Sequence, residues 1–227
     1  MVIGSRQTLR DIPPIQIRFR GQTIHPVAST RNLGLIFDCH LTWDTHVDSL
    51  VQKCFGLLIA LMHIRHHLPK NIIYDVVQCL VMSHVRYCIS VYGNCSDKNH
   101  KKIQKIVNFC AKVVSGRRKF DHISDVLRGP GWLNSRQVAN DHTLTLTHSI
   151  LRKKQPTSLA TLLQPNSSIH DRQTRQIDHI HLPRIRTEAG RRQFAYRAPS
   201  LHNTLPPNFA ETWMGSLKKL VKQWLKG

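Results

Sequence analysis

Acidic residues are scarce in this chain of 227 residues, in which 13 Asp and Glu stand against 33 Lys and Arg. The formal net charge is +20 when the histidines are neutral. Self-repulsion of this size disfavours an isolated compact state unless a polyanion is close. Nucleic acid is therefore the first partner that the composition indicates, and an anionic membrane surface is the second.

Signatures of catalysis and of metal binding are also missing. There is no G-x-S-x-G motif, no glycine-rich phosphate loop and no pair of carboxylates placed on strand ends. Asp121 and His122 are adjacent but have no nucleophile nearby in sequence, so capping or packing explains them better than catalysis. The 15 histidines lack the second ligand pair that a zinc site needs. We therefore expect no catalytic residue, no metal site, no cofactor and no small-molecule substrate.

Cysteine usage and the lack of long apolar runs bear on the compartment. The six cysteines lie in the first half, form no C-x-x-C pair and follow no signal peptide, which indicates reduced thiols. No apolar run approaches the roughly 20 residues that cross a bilayer. The expected location is intracellular, in the nucleus or the cytoplasm. The protein is expected neither to be secreted nor to bind a membrane.

Short strands are predicted near the N-terminus. Ile15, Ile17 and Phe19 alternate with polar residues, which is the period of a half-buried strand. A second apolar run, "NLGLIF", follows closely along the chain. Residues 15–37 are therefore predicted to form a small antiparallel sheet.

From Thr45 onward the apolar residues follow the period of amphipathic helices. The first predicted helix begins there, with Thr45 and Asp48 at capping-box spacing. The second runs from about Pro69 to Gly93. The third covers residues 97–115, followed by Gly116 as the stop signal. Three such helices with short connections are expected to pack as a bundle.

The predicted fold class is mainly α. It comprises a small N-terminal antiparallel β-hairpin sheet, a three-helix, thumb-like bundle and a smaller, partly disordered helical C-terminal module. A helix from Ser135 to about Lys154 and a last basic amphipathic helix belong to the second half. The predicted boundaries are 1–44 for the β segment, 45–119 for the bundle, 120–163 for a helical connector, 164–186 for a linker and 187–227 for the C-terminal module.

Lysines recur on one face of the third predicted helix. Lys98, Lys101, Lys105 and Lys112 form a stripe over about four turns, and Lys102 adjoins it. Such a row can follow a phosphate backbone and gain affinity through counterion release without reading sequence. An ordinary solvated face is the alternative, but such faces mix both signs. The candidate set for nucleic-acid binding also includes Arg117, Arg118, Lys119, Arg191, Arg192 and Arg197.

Four blocks of sequence follow one another in a characteristic order. They are "MVIGSR" at 1–6, "PPIQIRFRGQTIHPVASTRNLGLIFDCHLTWDTHV" at 13–47, "MSHVRYCISVYGNCSDKNHKKIQKIVNFCAKVVSGRRKFDHISDVLRGPGWLNSRQV" at 82–138 and "RTEAGRRQFAYRAPSLHNTLP" at 186–206. In this order they resemble the C-terminal part of the reverse transcriptase of non-LTR (LINE-type) retrotransposons, in the jockey-like and related branches. The resemblance covers nearly the whole chain.

The resemblance implies a role for each block. The first block is similar to the last strand of the palm. Residues 31–38 are similar to the hairpin that closes the palm and grips the primer, with Asn32, Leu33 and Gly34 as primer-grip-like residues. The helices of 45–116 resemble the thumb, which holds a template-primer duplex. Residues 116–138 resemble the joint beyond the thumb, packed by Trp132 and Leu133.

The chain also departs from the family pattern. Polymerase chemistry in this family needs palm aspartates of an aromatic-x-Asp-Asp motif, which hold two metal ions, and the sequence contains no such motif. Family members have an aromatic residue at the position of His202 and Leu-Pro at the position of Leu133-Asn134. The resemblance implies a truncated RNA-directed DNA polymerase that binds RNA, DNA or hybrid duplex and is not an enzyme on its own. Mg²⁺, which the family palm uses, has no ligands here, and a complementary palm and fingers fragment is a further candidate partner.

Two other functions stay open at this stage. One is a non-functional remnant of a mobile element whose thumb no longer folds stably. The other is a free-standing basic adaptor that binds RNA or protein. The last helix also fits a membrane surface in its composition, but it is short, so docking onto the preceding module is the preferred interpretation.

Overall fold

The computed structural model describes residues 1–13, 15–118, 120–129, 131–169, 177–206, 209 and 214–226. Helices dominate these residues, and two antiparallel strand pairs lie near the N-terminus. The mainly α fold class with N-terminal β-hairpins is therefore confirmed.

Two β-hairpins precede the long helices. In the first, β1 (Ile17–Phe19) pairs with β2 (Gln22–Ile24), and in the second, β3 (Ser29–Asn32) pairs with β4 (Leu35–Asp38). The two-residue turns, 20–21 and 33–34, have positive φ at both positions, as type I′ turns require. The hairpins are two separate sheets rather than the single predicted sheet. A short helix, α1 (Arg6–Asp11), comes before them.

The first hairpin keeps its apolar face open to solvent. Ile17 and Phe19 are each 60% exposed, and Ile24, which pairs with Ile17, is 51% exposed. The prediction of a half-buried strand is therefore wrong for β1. The alternating pattern correctly places these side chains on one face of the hairpin. Whether that face is buried depends on another element packing against it, and the pattern contains no information about such packing.

The first long helix, α2, spans Asp44–Ile64 and continues into a 3₁₀ turn over Arg65–His67. The predicted capping box at Thr45 is wrong, since the N-cap residue is Trp43, whose φ is 66°. The preceding loop is held instead by the Asp38 carboxylate, which accepts backbone N–H groups of Thr42 at 3.0 Å and Trp43 at 2.8 Å. Burial raises the pKa of Asp38, but these backbone hydrogen bonds outweigh burial and lower it overall.

The second predicted helix is divided into four pieces. They are α3 (Lys70–Val77), a π-helical turn (Gln78–Met82), α4 (Ser83–Arg86) and α5 (Ile89–Tyr92). The chain breaks at Cys88, whose φ is 52°, and the Tyr92 hydroxyl donates to the Val85 carbonyl across the break. The prediction of one continuous helix is wrong because apolar side chains keep helical spacing on both sides of the break.

The third predicted helix is confirmed as α6 (Asp97–Ser115). Ser96 caps its start, and Gly116 closes its end with a φ of 75°. α2, α3 and α6 pack around one core with α5 and the start of α8. The largest side chains with almost no exposure in this core include Tyr92, Leu58, Ile89, Ile103 and Ile106.

By length and composition alone, the stretch Asp44–His67 could cross a membrane, with a mean hydropathy of 1.5. The expectation that no such stretch exists is wrong on these two criteria. A core helix of a soluble protein meets the same criteria, so a single stretch is weak evidence for a membrane span. In the fold, α2 buries Val47, Cys54 and Leu58 against the bundle.

The second half contains shorter helices around one long helix. Their bounds are α7 (Ser124–Arg128), α8 (Ser135–Lys153), α9 (Thr157–Ala160), a 3₁₀ turn (Asn166–Ser168), α10 (Glu188–Arg191), α11 (Phe194–His202) and α12 (Met214–Lys226). The predicted helix from Ser135 is confirmed, and its start is held by a capping box between Asn134 and Gln137.

α8 connects the bundle to the C-terminal elements. Val138 near its start belongs to the main core. Leu144 packs with Leu217 and Val221 of α12 in a second cluster. Ile150 belongs to a third cluster that includes Ala198 of α11. One helix therefore carries three apolar clusters along its length, and α12 docks onto it through its apolar face.

The segment 164–186 is described on both sides of a gap at 170–176. Pro165 and Ile180 form an isolated antiparallel bridge, and Ile180 is 4% exposed. The Asn203 side chain both donates to and accepts from the Ile180 backbone, at 2.8 and 3.0 Å. The described flanks of this segment therefore pair with each other, and Ile180 packs in one cluster with Ala198 of α11.

Candidate nucleic-acid interface

The lysine stripe lies on the outer edge of α6. The opposite face of the helix is sealed in the core, where Ile103, Ile106, Val107 and Cys110 have no exposed surface. Lys98, Lys101 and Lys105 are exposed and, within the described part of the chain, form no ion pair. These three lysines are called the α6 edge below. Lys112 lies on the same side, one turn before the helix end, and is partly buried.

The stripe is less uniform than its sequence spacing indicates. Lys102, which is only 26% exposed, forms an ion pair with Asp48 of α2. Asp97 at the helix start forms an ion pair with Arg136 of α8. The charge of Lys102 is thus partly neutralised by Asp48 of α2. The charge of Asp97, the one acidic residue beside the stripe, is in turn neutralised by Arg136.

The basic residues that follow α6 have structural partners. Arg117 forms two hydrogen bonds with the Asp125 carboxylate, one of them at 2.9 Å, and donates to the His122 carbonyl. The hydrogen bond from Arg117 lowers the pKa of Asp125. Arg118 has an exposed side chain, and its backbone N–H donates to Asp121 at 2.7 Å. Lys119 lies outside the described residues.

This geometry also explains the Asp121–His122 pair. The Asp121 carboxylate holds the turn after α6 by accepting the Arg118 N–H. His122 contributes its backbone carbonyl to Arg117. Both residues act here through turn geometry, and their side chains are exposed.

The three C-terminal arginines meet at the start of α6. Arg191, Arg192 and Arg197 line one cavity of about 500 Å³ together with Arg136 of α8 and the first residues of α6. These four arginines are called the arginine pocket below. The Asn94 side chain, just before α6, donates to the Arg192 carbonyl at 2.9 Å.

Two contacts position the arginine pocket. Arg197 donates to Asn140 of α8 at 2.7 Å, and burial together with nearby Arg136 lowers its pKa. Its Nε atom is buried without a hydrogen-bond partner. Arg192 faces Glu188, with Nε and Oε1 3.5 Å apart. The pocket therefore holds four guanidinium groups against one glutamate and the paired Asp97.

The fold thus brings the predicted basic residues of the C-terminal module close to the helix that carries the predicted lysines. The α6 edge begins one residue after Asp97, which lines the arginine pocket. Sequence reasoning missed Arg136, because it lies 39 residues beyond its partner Asp97. No local pattern indicates that the start of α8 lies beside the start of α6.

The primer-grip-like residues occupy the turn of the second hairpin. Leu33 is 82% exposed at its tip, and Asn32 pairs with Leu35 at its base. Tyr87, at the break between α4 and α5, donates its hydroxyl to the Leu33 carbonyl at 2.8 Å. A Cβ atom on Gly34 would lie 3.3 Å from the Tyr87 ring. The turn is therefore tied to the helical bundle by one tyrosine.

The segment after α6 packs against the main core through Trp132 and Leu133. Trp132 is 6% exposed and meets the Tyr74 ring edge-on at 5.9 Å. Leu133 is partly buried against the same core. Gly131 has a φ of 94°, and a Cβ atom there would lie 2.8 Å from the Tyr74 hydroxyl.

Within the described ranges, no three His, Cys, Asp or Glu residues come close enough to hold a metal ion. The six cysteines are unpaired. No family model matches this chain, and no curated protein or solved structure matches it either. The arrangement of the basic side chains therefore carries the functional argument.

Proposed function

We propose that this chain binds nucleic-acid duplex through the α6 edge and the arginine pocket, as the thumb and C-terminal module of a non-LTR retrotransposon reverse transcriptase. The observation that carries the proposal is the meeting of three C-terminal arginines with the start of the lysine-bearing helix. Two basic groups distant in sequence therefore lie at neighbouring places on one helix, although dispersal would relieve their mutual repulsion.

The dimensions of α6 suit a duplex backbone. Its 19 residues extend about 28 Å at the usual helical rise, and the α6 edge and the arginine pocket lie in its first half. Exposed ammonium and guanidinium groups bind phosphates without reading sequence. The fixed apolar face of α6 keeps the lysines turned outward. Thumb helices in the resembling family would present such an edge to a template-primer duplex.

The proposal includes what the chain does not do alone. The aromatic-x-Asp-Asp motif of the family is absent from the sequence, so the proposed role is binding rather than polymerisation. A palm and fingers fragment is a proposed partner, and the hairpin turn at Leu33 is the proposed primer-grip element. The proposed location is the nucleus or the cytoplasm.

The test compares two triple variants of equal charge. The edge variant, K98Q/K101Q/K105Q, is expected to bind a 16-base-pair hybrid duplex roughly tenfold or more weakly than the original protein. The matched control is K53Q/K70Q/K219Q, which removes three exposed lysines from other helices. We expect the control to lose less than threefold. Fluorescence anisotropy at fixed salt measures both affinities.

Equal losses in both variants would show that bulk charge drives binding, and the proposed surface would be wrong. Two further measurements separate the two other functions. A remnant with an unstable bundle would lack a cooperative unfolding transition by circular dichroism. A protein-binding adaptor would keep its partner affinity as salt rises.

A further inference from the structure

A second basic site lies away from the α6 edge. A cleft of about 840 Å³ opens between α3, α8 and α12, which is within the size range of ligand sites. Among the described residues that line it, none belongs to the α6 edge or the arginine pocket. Its cations come from three different elements and are Arg86, Lys153, Lys218, Lys222 and Lys226.

The lysines of α12 form a row along the cleft. Lys218, Lys222 and Lys226 are four residues apart, so they share one helix face with a repeat of about 6 Å. Lys226 also donates to the Gly129 carbonyl, which leaves Lys218 and Lys222 as the main phosphate-binding candidates. This repeat is comparable to the spacing of consecutive phosphates on an extended strand. The row is fixed in orientation, because Leu217 and Val221 on the other side of α12 are buried against α8.

The opposite wall of the cleft is aromatic and polar. Tyr74 and Trp132 line it with their rings in contact, and the partly exposed Tyr74 is the ring open to a base, because Trp132 is only 6% exposed. Gln78 and Met82, the first and last residues of the π-helical turn, also line it. Single π-helical turns recur at functional sites. Aromatic rings opposite a row of cations are the combination that binds single strands, through stacked bases and neutralised phosphates.

Two polar atoms in the cleft walls have no hydrogen-bond partner, although the Gln78 Oε1 atom accepts from Arg86 at 2.6 Å. Asp141 is 9% exposed, and its Oδ1 atom is buried without a hydrogen bond. The Nε2 atom of Gln78 is likewise buried without an acceptor. Burial raises the pKa of Asp141, while the nearby Lys222, Arg86 and Lys218 oppose that rise. An unpaired acceptor and an unpaired donor match the edge of a nucleobase, which carries groups of both kinds.

We propose that the cleft between α3, α8 and α12 binds single-stranded nucleic acid, with phosphates on the α12 lysines and a base against Tyr74, Gln78 and Asp141. This site is separate from the duplex surface and does not depend on it. A protein with both sites holds a duplex and an adjoining unpaired strand together.

The test uses the full chain and an eight-nucleotide single strand. The cleft variant, K218Q/K222Q, is expected to bind this strand about tenfold more weakly while duplex affinity changes by less than twofold. The matched control, K70Q/K219Q, removes two exposed lysines that do not line the cleft. The edge variant K98Q/K101Q/K105Q is expected to show the reverse pattern, so failure of either proposal is visible separately.

A second variant separates a nucleotide site from a simple anion site. Asp141→Asn removes a negative charge, which would tighten binding of any ligand recognised by phosphate alone. A base that donates to the carboxylate would instead lose affinity, because the neutral amide oxygen of asparagine is a weaker acceptor, and we expect about a fivefold loss for the single strand. Equal losses in the cleft and control variants would overturn the proposal. It would also be overturned if Asp141→Asn tightened binding and inorganic tripolyphosphate displaced the strand at equal concentration.

Discussion

His46 connects the second hairpin to the helical bundle through its neutral ring. Its Nδ1 atom accepts the Ile36 N–H at 3.4 Å, and its ring meets Tyr92 edge-on at 4.7 Å. Burial and nearby Arg31 lower the pKa of His46. A protonated ring would present a second donor to the Ile36 N–H and lose this hydrogen bond.

The lowered pKa fixes the sign of the pH dependence. Below the unfolded pKa of about 6.5 the unfolded chain binds the proton more tightly than the folded chain. The stabilisation that neutral His46 contributes is therefore complete above about pH 6.5. It is lost as the pH falls through the pKa of His46 in the folded protein. Burial also lowers the pKa of His100, His142 and His202, so they act in the same direction.

We expect the free energy of unfolding, measured with urea, to decrease from pH 7.5 to pH 5. His46→Asn keeps an acceptor near the Nδ1 position but does not titrate, so this variant is expected to show a smaller decrease. His63→Asn changes an exposed histidine of α2 and is the control. An identical pH dependence for all three proteins would contradict the role assigned to His46.

Two glycines, Gly93 at the C-cap of α5 and Gly56 inside α2, show how contacts between elements decide the effect of one methyl group. A Cβ atom on Gly93 would lie 2.7 Å from the Ala139 Cβ of α8 and would also overlap the Ile89 carbonyl. A Cβ atom on Gly56 of α2 would meet nothing within 4 Å. The close approach of α5 to α8 therefore depends on Gly93.

Gly93→Ala is expected to lower the free energy of unfolding by about 1–3 kcal/mol, as overpacking of a core does. Gly56→Ala is expected to raise it by about 0.5–1 kcal/mol, because alanine loses less backbone entropy in a helix. Urea unfolding monitored by circular dichroism measures both. If both variants were stabilised, the tight packing of α5 on α8 would be refuted.

The first and last residues of a helix could be predicted from the sequence where the capping residues lie next to the helix itself. The ends of α6 were predicted correctly, since Ser96 and Gly116 act within one turn of their own helix. The start of α2 was predicted to within one residue, but its cap was not, because the preceding loop is held by Asp38 of a strand. The break at Cys88 was also missed, because the contact across it, from the Tyr92 hydroxyl to the Val85 carbonyl, is not visible in the apolar spacing.

Most basic residues of the candidate site were identified from the sequence, but their proximity in space and their ion pairs were not. The spacing of the α6 lysines identified the exposed edge directly. The meeting of Arg191, Arg192 and Arg197 with Arg136 depends on the path of the chain through α8, α10 and α11. The ion pair between Lys102 and Asp48 depends likewise on the packing of α6 against α2.

At the scale of the whole molecule, α8 holds the basic surfaces in place. It contributes Arg136 to the arginine pocket and Lys153 to the cleft between α3, α8 and α12. It also carries Leu144, which anchors α12. The arginine pocket of the proposed duplex surface and the proposed single-strand site therefore share one helix.

The salt dependence of duplex binding tests the central claim most directly. Each phosphate contact contributes a slope of about −0.9 to the plot of log affinity against log salt. The edge variant K98Q/K101Q/K105Q is predicted to show a slope shallower by about 2 to 3 than the original protein, while K53Q/K70Q/K219Q keeps the original slope. Equal slopes for the original protein and the edge variant would show that α6 does not contact the phosphates.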